Sequence, residues 1–322
     1  MSCSQIAFDE SIHNLKKFNG MADQTIKEKV QFKSDGLVLV GNLCKPQDFN
    51  PSEKYSAIVT GGSLTSVKEQ MAGTYAEKLA AKGFLALAFD YRNYGESEGQ
   101  PRQFEDPALK LKDLESAVTC LLSLPYVQSV GALGVCTSGG NVAYLAADDK
   151  RIKAAVIVAA HLADASILAA LYGSMGKDVD SLRKAGAEAK KHYQLTGENT
   201  MIPAYSTTDN TAAHVGSFLE YYDDKTRGGG VKEWKNQFSV MGWGTWLDFD
   251  PVSKAKNITI PFMMVHSDRC ALPGNAKKFY NNLKGTKELV WDDADHTDHY
   301  DQPNVVDPVI DKASGFFLKY LK

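Results

Sequence analysis

Short, nearly uninterrupted apolar runs alternate along this chain with stretches whose apolar residues follow helical spacing. The runs at 55–60, 84–89, 129–135, 152–160 and 260–266 are dominated by Val, Ile, Leu, Ala, Phe and Met. Runs this short and continuous read as strands buried on both faces, the habit of a parallel sheet. A weaker strand follows at 288–291. Between them, helical spacing is visible over 67–82, 105–124, 141–147, 274–283 and 305–321. In the second of these, Leu109, Leu111, Leu114, Val118 and Leu121 form the apolar stripe. The first two strands differ: 29–32 and 37–44 flank a Ser34-Asp35-Gly36 turn and predict an antiparallel hairpin. The whole rhythm predicts an α/β fold with a mostly parallel central sheet and helices on both faces.

The rhythm lapses after His161. Up to about residue 249, helix-like pieces (166–172, 181–192, 211–222) alternate with polar loops, including Gly228-Gly229-Gly230. It then resumes at 260. A segment that leaves one sheet and rejoins it reads as an inserted helical cap. The predicted organisation is an N-terminal extension over 1–26, a core formed by 27–160 and 250–322, and a cap over 161–249.

Composition narrows the function classes. The chain has 322 residues, of which 43% are hydrophobic and 23% charged, enough for one large α/β domain with an insertion. Its formal net charge is −3 and it has no long Lys/Arg cluster, so neither nucleic acid nor an anionic membrane is the expected partner. No apolar run reaches the ~18 residues of a membrane-crossing helix. Residues 1–19 are polar, contain Asp9 and Glu10, and lack the basic start and apolar core of a signal peptide. Cysteines stand at 3, 44, 120, 136 and 270, odd in number and without a C-x-x-C pair, which suggests free thiols in a reducing, cytoplasmic compartment. A homo-oligomer is left open.

The chemistry centres on residues 134–140, Gly-Val-Cys-Thr-Ser-Gly-Gly. They join an apolar strand to a helical run, where a nucleophile on a tight turn needs small neighbours: the pattern G-x-nucleophile-x-G. Cys136 holds the nucleophile position and Ser138 the closing glycine position. Ser138 is the competing nucleophile, in a poorer frame. The N-terminal end of the following helix is expected to favour the Cys136 thiolate. A cysteine nucleophile needs a base, and the base an orienting group. In chain order nucleophile, acid, base, Asp268 follows a late strand and His296 lies in the loop after the last one. His299 competes with His296, and Asp292, Asp293 and Asp295 compete with Asp268. The same cluster of carboxylates and histidines resembles a metal site superficially, but no second His/Cys pair at ligand spacing supports it, and neither metal nor cofactor is expected. Oxyanion donors are expected from the N–H of Thr137 and, in the Gly61-Gly62-Ser63-Leu64 loop, from that of Leu64, with Ser63 next. Ser63, Ser138, His161, Tyr221 and Trp243 are candidate substrate contacts. His13, His192 and His214 read as surface residues.

Together these residues resemble the α/β-hydrolase superfamily, and within it the dienelactone-hydrolase-like branch with its YcjY-type hydrolases and fungal polyketide acyltransferase-like proteins. The resemblance is carried by residues 65–70 (Thr-Ser-Val-Lys-Glu-Gln), 88–99 (Ala-Phe-Asp-Tyr-Arg-Asn-Tyr-Gly-Glu-Ser-Glu-Gly) and 134–140. Further support comes from Glu220-Tyr221-Tyr222, Thr226-Arg227-Gly228, and His296 with Tyr300-Asp301. It runs from about Lys27 onward. It implies an α/β-hydrolase fold with Cys136, Asp268 and His296 as a catalytic triad, and structural roles for Asp90 and Arg92. Two departures stand out: Gly62 where relatives often have His, and Ser138 where they have Gly. The implied activity is hydrolysis of an ester, thioester or lactone of a small-molecule acyl substrate through an acyl-thioester. The alternatives are an acyltransferase using the same residues, and a non-catalytic binding protein that keeps only the fold.

Overall fold

The computed structural model describes residues 4–5, 25–216 and 219–321. Most of the polar start read as an extension, His13 included, lies outside the described residues. The sheet strands are β1 (Ser4–Gln5), β2 (Thr25–Ser34), β3 (Leu37–Pro46), β4 (Tyr55–Gly61), β5 (Leu85–Phe89), β6 (Val127–Val135) and β7 (Ile152–Val158). The segment that follows adds the short strands β8 (Met201–Ile202), β9 (Tyr205–Ser206), β10 (His214–Val215) and β11 (Phe238–Ser239); β12 (Phe262–Ser267) and β13 (Lys287–Asp292) return to the main sheet. Helices α1 (Met71–Ala81), α2 (Pro107–Ser123) and α3 (Thr137–Asp148) link the first strands. Helices α4 (Leu168–Ser174), α5 (Val179–Thr196), α6 (Glu220–Asp223) and α7 (Gly242–Trp246) lie between β7 and β12, and α8 (Pro273–Asn282), α9 (Asp298–Asp301) and α10 (Pro303–Tyr320) follow.

Among the described residues, the main sheet runs β1-β2-β3-β5-β4-β6-β7-β12-β13. The pairs from β5 through β13 are parallel, and β1 to β3 are added antiparallel. The predicted hairpin is present and longer than its apolar cores suggested, pairing Thr25 with Pro46 at its far end. Every residue of β5 and β12 is buried, as expected of strands covered on both faces. One apolar layer packs α1 and α10 against the sheet; the other packs α2, α3 and α8.

Helix starts follow local chemistry. Pro107 opens α2, and the Asp106 carboxylate caps it by accepting from the N–H groups of Ala108 and Leu109. The expected start of α1 at 67 moves to Met71, because Val67 donates its N–H to the Gln70 side chain and closes a turn. The helix expected over 211–222 does not form. A turn held by the Asp209 side chain leads into His214–Val215, which pairs with Tyr205–Ser206, and among the described residues of this span the α-helical ones start at Glu220, in Glu220–Asp223.

The elements between β7 and β12 share one continuous apolar cluster with the α1 side of the core, through Tyr172, Trp243, Trp246 and Phe249. Three hydrogen bonds from Arg227 tie this segment to the loop that carries His296. Arg227 donates from Nε and Nη2 to the Asp301 carboxylate, at 3.0 and 2.6 Å, and from Nη2 to the Thr297 carbonyl at 2.9 Å. The match of a planar guanidinium to a carboxylate gives this strap direction as well as charge. Asp90 and Arg92 are structural in the same sense. Asp90 is buried against Lys68 at 2.8 Å, and Arg92 against Asp113 at 2.6 Å. Cys44, Cys136 and Cys270 are free thiols, but Cys120 is disulfide-bonded. Cysteine usage therefore does not argue for a reducing compartment. Among the described residues, no helix is long and apolar enough to cross a membrane.

Candidate active site

The parallel strands end at one edge of the sheet, and five of them deliver the site. The chain order reverses around β4 and β6, so the loops leaving these neighbours diverge and open a crevice between them. Glycines 61 and 134 face each other across this pair. Beyond Val135 the chain turns sharply: Cys136 has φ 54° and ψ −118°, and α3 starts at Thr137. A non-glycine residue held there costs about 1–3 kcal/mol and pushes its side chain out over the strand end. Several bonds hold the turn. Cys136 donates its N–H to the Val158 carbonyl, its own carbonyl accepts from His161 and Gly139, and Ser138 donates its N–H to the Gly62 carbonyl. Gly134 is required by close approach, since a Cβ there would lie 2.2 Å from the Ser138 carbonyl oxygen.

His296 arrives from the loop after β13. Its Nε2 lies 3.4 Å from Cys136 Sγ, and both side chains are buried. Two of the three residues named from chain order are therefore brought together. Asp268 is not brought to them. Its side chain is 68% exposed and pairs with Lys277 at 2.7 Å. The place expected for its carboxylate is taken by backbone, because Ala271 donates its N–H to His296 Nδ1 at 3.2 Å. A ring nitrogen that accepts an N–H carries a lone pair, so in this geometry the ring proton sits on Nε2 and points at the sulfur.

Three of the four rival residues form ion pairs around the site. His299 binds Asp292 through Nε2 at 3.1 Å, and its Nδ1 faces the Asp295 carbonyl at 3.0 Å and Cys270 Sγ at 3.8 Å. Burial opposes its charge, but the Asp292 carboxylate and Cys270 outweigh it and raise His299 to about 10. Asp295 holds Arg269, and Asp293 is exposed.

Burial dominates the electrostatics of the pair itself. It pushes the Cys136 thiol up from its ordinary value, against the Tyr300 hydroxyl and the Thr137 hydroxyl and N–H, which face the sulfur. Desolvation thus opposes the thiolate that the helix terminus is expected to favour. Burial also holds His296 well below its ordinary value, helped by His266 and His299. Both shifts favour the neutral forms, a thiol and a neutral imidazole.

A cavity of about 50 Å³ covers the sulfur, lined by Leu64, Thr137, His161, Leu219, Trp246, Ala271 and Tyr300, among others. Two N–H groups at this wall make no hydrogen bond to oxygen among the described residues, those of Leu64 and Thr137. The Ser63 N–H is engaged by Met71 sulfur at 3.4 Å, and its hydroxyl accepts from Tyr222 at 2.6 Å. Ser138 turns away from the cavity, its hydroxyl paired with that of Tyr91 at 3.0 Å. His161 lines the cavity. Tyr221 and Trp243 stand outside its lining: Tyr221 packs on Tyr300 with ring centroids 5.0 Å apart, and Trp243 on Phe238 at 4.9 Å. His192 is on the surface, facing Glu198. His214, read from sequence as a surface residue, lines the cavity instead. Ala271 acts through backbone and leaves no trace in residue type, whereas Tyr300 was already among the residues of the family resemblance.

A left-handed residue between a central strand and a helix, met by a histidine from after the last strand, defines the α/β-hydrolase class. A sequence profile for the alpha/beta hydrolase fold matches residues 60–303, and the chain belongs to that family. YcjY of Escherichia coli (strain K12) is 36% identical over 183 residues, 55% of this chain and 60% of that protein. Thiohydrolase aneE of Aspergillus aculeatus is 32% identical over 183 residues, 56% of each chain. The chain thus spans little more than half the length of these two relatives. PA2218 of Pseudomonas aeruginosa is 28% identical over 303 residues, 89% of this chain and 78% of that protein. The PA2218 crystal structure aligns with a TM-score of 0.79 at 24% identity, covering 97% of this chain and 100% of that one.

Proposed function

We propose that this protein is a cysteine-dependent hydrolase that cleaves a small ester, thioester or lactone through an acyl-thioester on Cys136. The observation that carries the reading is the 3.4 Å approach of His296 Nε2 to a sulfur mounted on a left-handed elbow. The relative aneE bears the name thiohydrolase, which agrees with it.

The chemistry follows from the neutral pair. Cys136 sulfur attacks the carbonyl carbon while its proton passes to His296 Nε2, and the N–H groups of Leu64 and Thr137 hold the oxyanion. The tetrahedral adduct expels its alcohol, thiol or ring oxygen, which takes the proton from Nε2. Water then attacks the thioester, gives its proton to Nε2, and the acid leaves as the sulfur recovers a proton. Nε2 can accept a proton only when the ring proton is on Nδ1. That tautomer is reached when the ring exchanges its proton with water and the Ala271 N–H, 3.2 Å away, moves off Nδ1 before attack. Tyr205, Leu219 and Trp246 make the cavity apolar, which favours a second reading in which an alcohol or amine intercepts the thioester.

The test is acid quenching during turnover of p-nitrophenyl acetate, followed by mass analysis of peptides. An acetyl group on Cys136, absent in Cys136→Ala and slowed at least about 100-fold in His296→Ala, is the expected result. An acetyl group on another residue would overturn the assignment. Ester formed with added alcohol in place of free acid would select the transfer reading.

A further inference from the structure

The cavity is lined by a residue with a polar atom that the acyl chemistry does not use. His214 stands on β10 and lines the cavity together with Cys136, His161 and Trp246. Its ring is surrounded by Tyr205, Tyr172, Trp246 and Trp243, with centroids 5.7, 6.1, 6.1 and 6.4 Å away. Its Nδ1 is buried and has no hydrogen-bond partner among the described residues. An unpaired nitrogen in such a setting is costly, and Phe or Leu would close the same aromatic wall without that cost. His161 lies in the same wall, stacked on Trp246 at 5.2 Å. Burial pushes His214 down to about 3, with His161 and Lys177 adding to it, and it pushes His161 down to about 4. Both rings are neutral near pH 7, and each offers one N–H and one lone pair.

We propose that His214 is a specificity-determining residue which hydrogen-bonds a hydroxyl group on a short acyl chain. This rests on the thioester reading of Cys136 and names the acyl class that fits it. A hydroxyl serves Nδ1 in either tautomer, since it donates to a lone pair and accepts from an N–H. A plain alkyl chain leaves the nitrogen unpaired and buried more deeply. The cavity of about 50 Å³ limits the acyl group to a few carbons, and Leu219 and Trp246 supply apolar contact for them.

The test uses N-acetylcysteamine thioesters of butanoic, 2-hydroxybutanoic and 3-hydroxybutanoic acids, with the wild type, His214→Phe and His214→Gln. Two quantities are read: the acyl mass on Cys136 after acid quenching, and kcat/KM for each substrate. In the wild type, one hydroxyacyl thioester is expected to exceed butanoyl by at least about tenfold in kcat/KM. That ratio falls to near one in His214→Phe and is partly restored in His214→Gln. A wild-type ratio near or below one overturns the proposal without recourse to either variant, and so does a preference that survives in His214→Phe. If acyl-Cys136 forms while the ratio fails, the subsite is wrong and the chemistry stands. If no acyl group is found on Cys136 with any substrate, the thioester reading falls and takes the subsite with it.

Discussion

The resting protonation of Cys136 and His296 can be read directly from the pH dependence of alkylation. The perturbation is a pH series from 5 to 10 with iodoacetamide, on the wild type and on His296→Ala. A thiol of ordinary pKa is only about 3% thiolate at pH 7, and burial pushes Cys136 further toward the thiol. Its alkylation rate at pH 7 is therefore expected below about 3% of its alkaline limit, rising about tenfold per pH unit. In His296→Ala the donor 3.4 Å from the sulfur is lost. A hydrogen bond of about 1 kcal/mol to the thiolate corresponds to somewhat under one pKa unit, so the rate at pH 8 should fall about fivefold. The assay is loss of free thiol at Cys136, followed by peptide mass analysis so that Cys44 and Cys270 are scored separately. A rate already at its plateau between pH 5 and 7 would mean a preformed thiolate–imidazolium pair and would refute the neutral resting state. Nitrogen-15 spectra of the histidines report on the partner ring: His296 should carry its proton on Nε2, as the Ala271 N–H requires.

Other consequences are equally open to measurement. Asp268→Asn, at an exposed carboxylate paired with Lys277, should keep ester turnover within about twofold. Asp292→Asn leaves a buried His299 without its partner and should lower stability by about 3 kcal/mol in urea unfolding; a larger activity loss in Asp268→Asn would restore Asp268 as the acid. For His161 and His214 the folded values, about 4 and about 3, lie below the ordinary 6.5. Above that value neither state takes up their protons. As pH falls below it only the unfolded chain does, so stability should drop by up to about 1.4 kcal/mol per pH unit for each ring. Urea midpoints from pH 7 to 4.5 test this, and a slope unchanged in His214→Phe would contradict it. Gly134→Ala places a methyl group 2.2 Å from the Ser138 carbonyl oxygen and should cost about 3 kcal/mol or more, read as a fall in melting temperature; an unchanged melting temperature would mean the elbow is not so tightly packed.

Local patterns were enough for the scaffold. Continuous apolar runs such as 84–89 became fully buried parallel strands because a strand covered on both faces has no polar side to reveal. The glycines and small residues around Cys136 declared the tight turn, because few other residues fit where a Cβ would strike backbone. The order of Cys136 and His296 along the chain was legible because the strands deliver their loops to one edge in a fixed order. What tertiary structure decided lies in convergence. Asp268 follows the right strand but faces solvent, and the group on His296 Nδ1 is a backbone N–H that every residue type except proline carries. His214, on a two-residue strand in an irregular segment, had no periodicity to mark it as buried, and folding placed it against the cavity. The upward push on the Cys136 thiol likewise comes from burial, which depends on the packed surroundings of an atom and cannot be read from its neighbours in sequence.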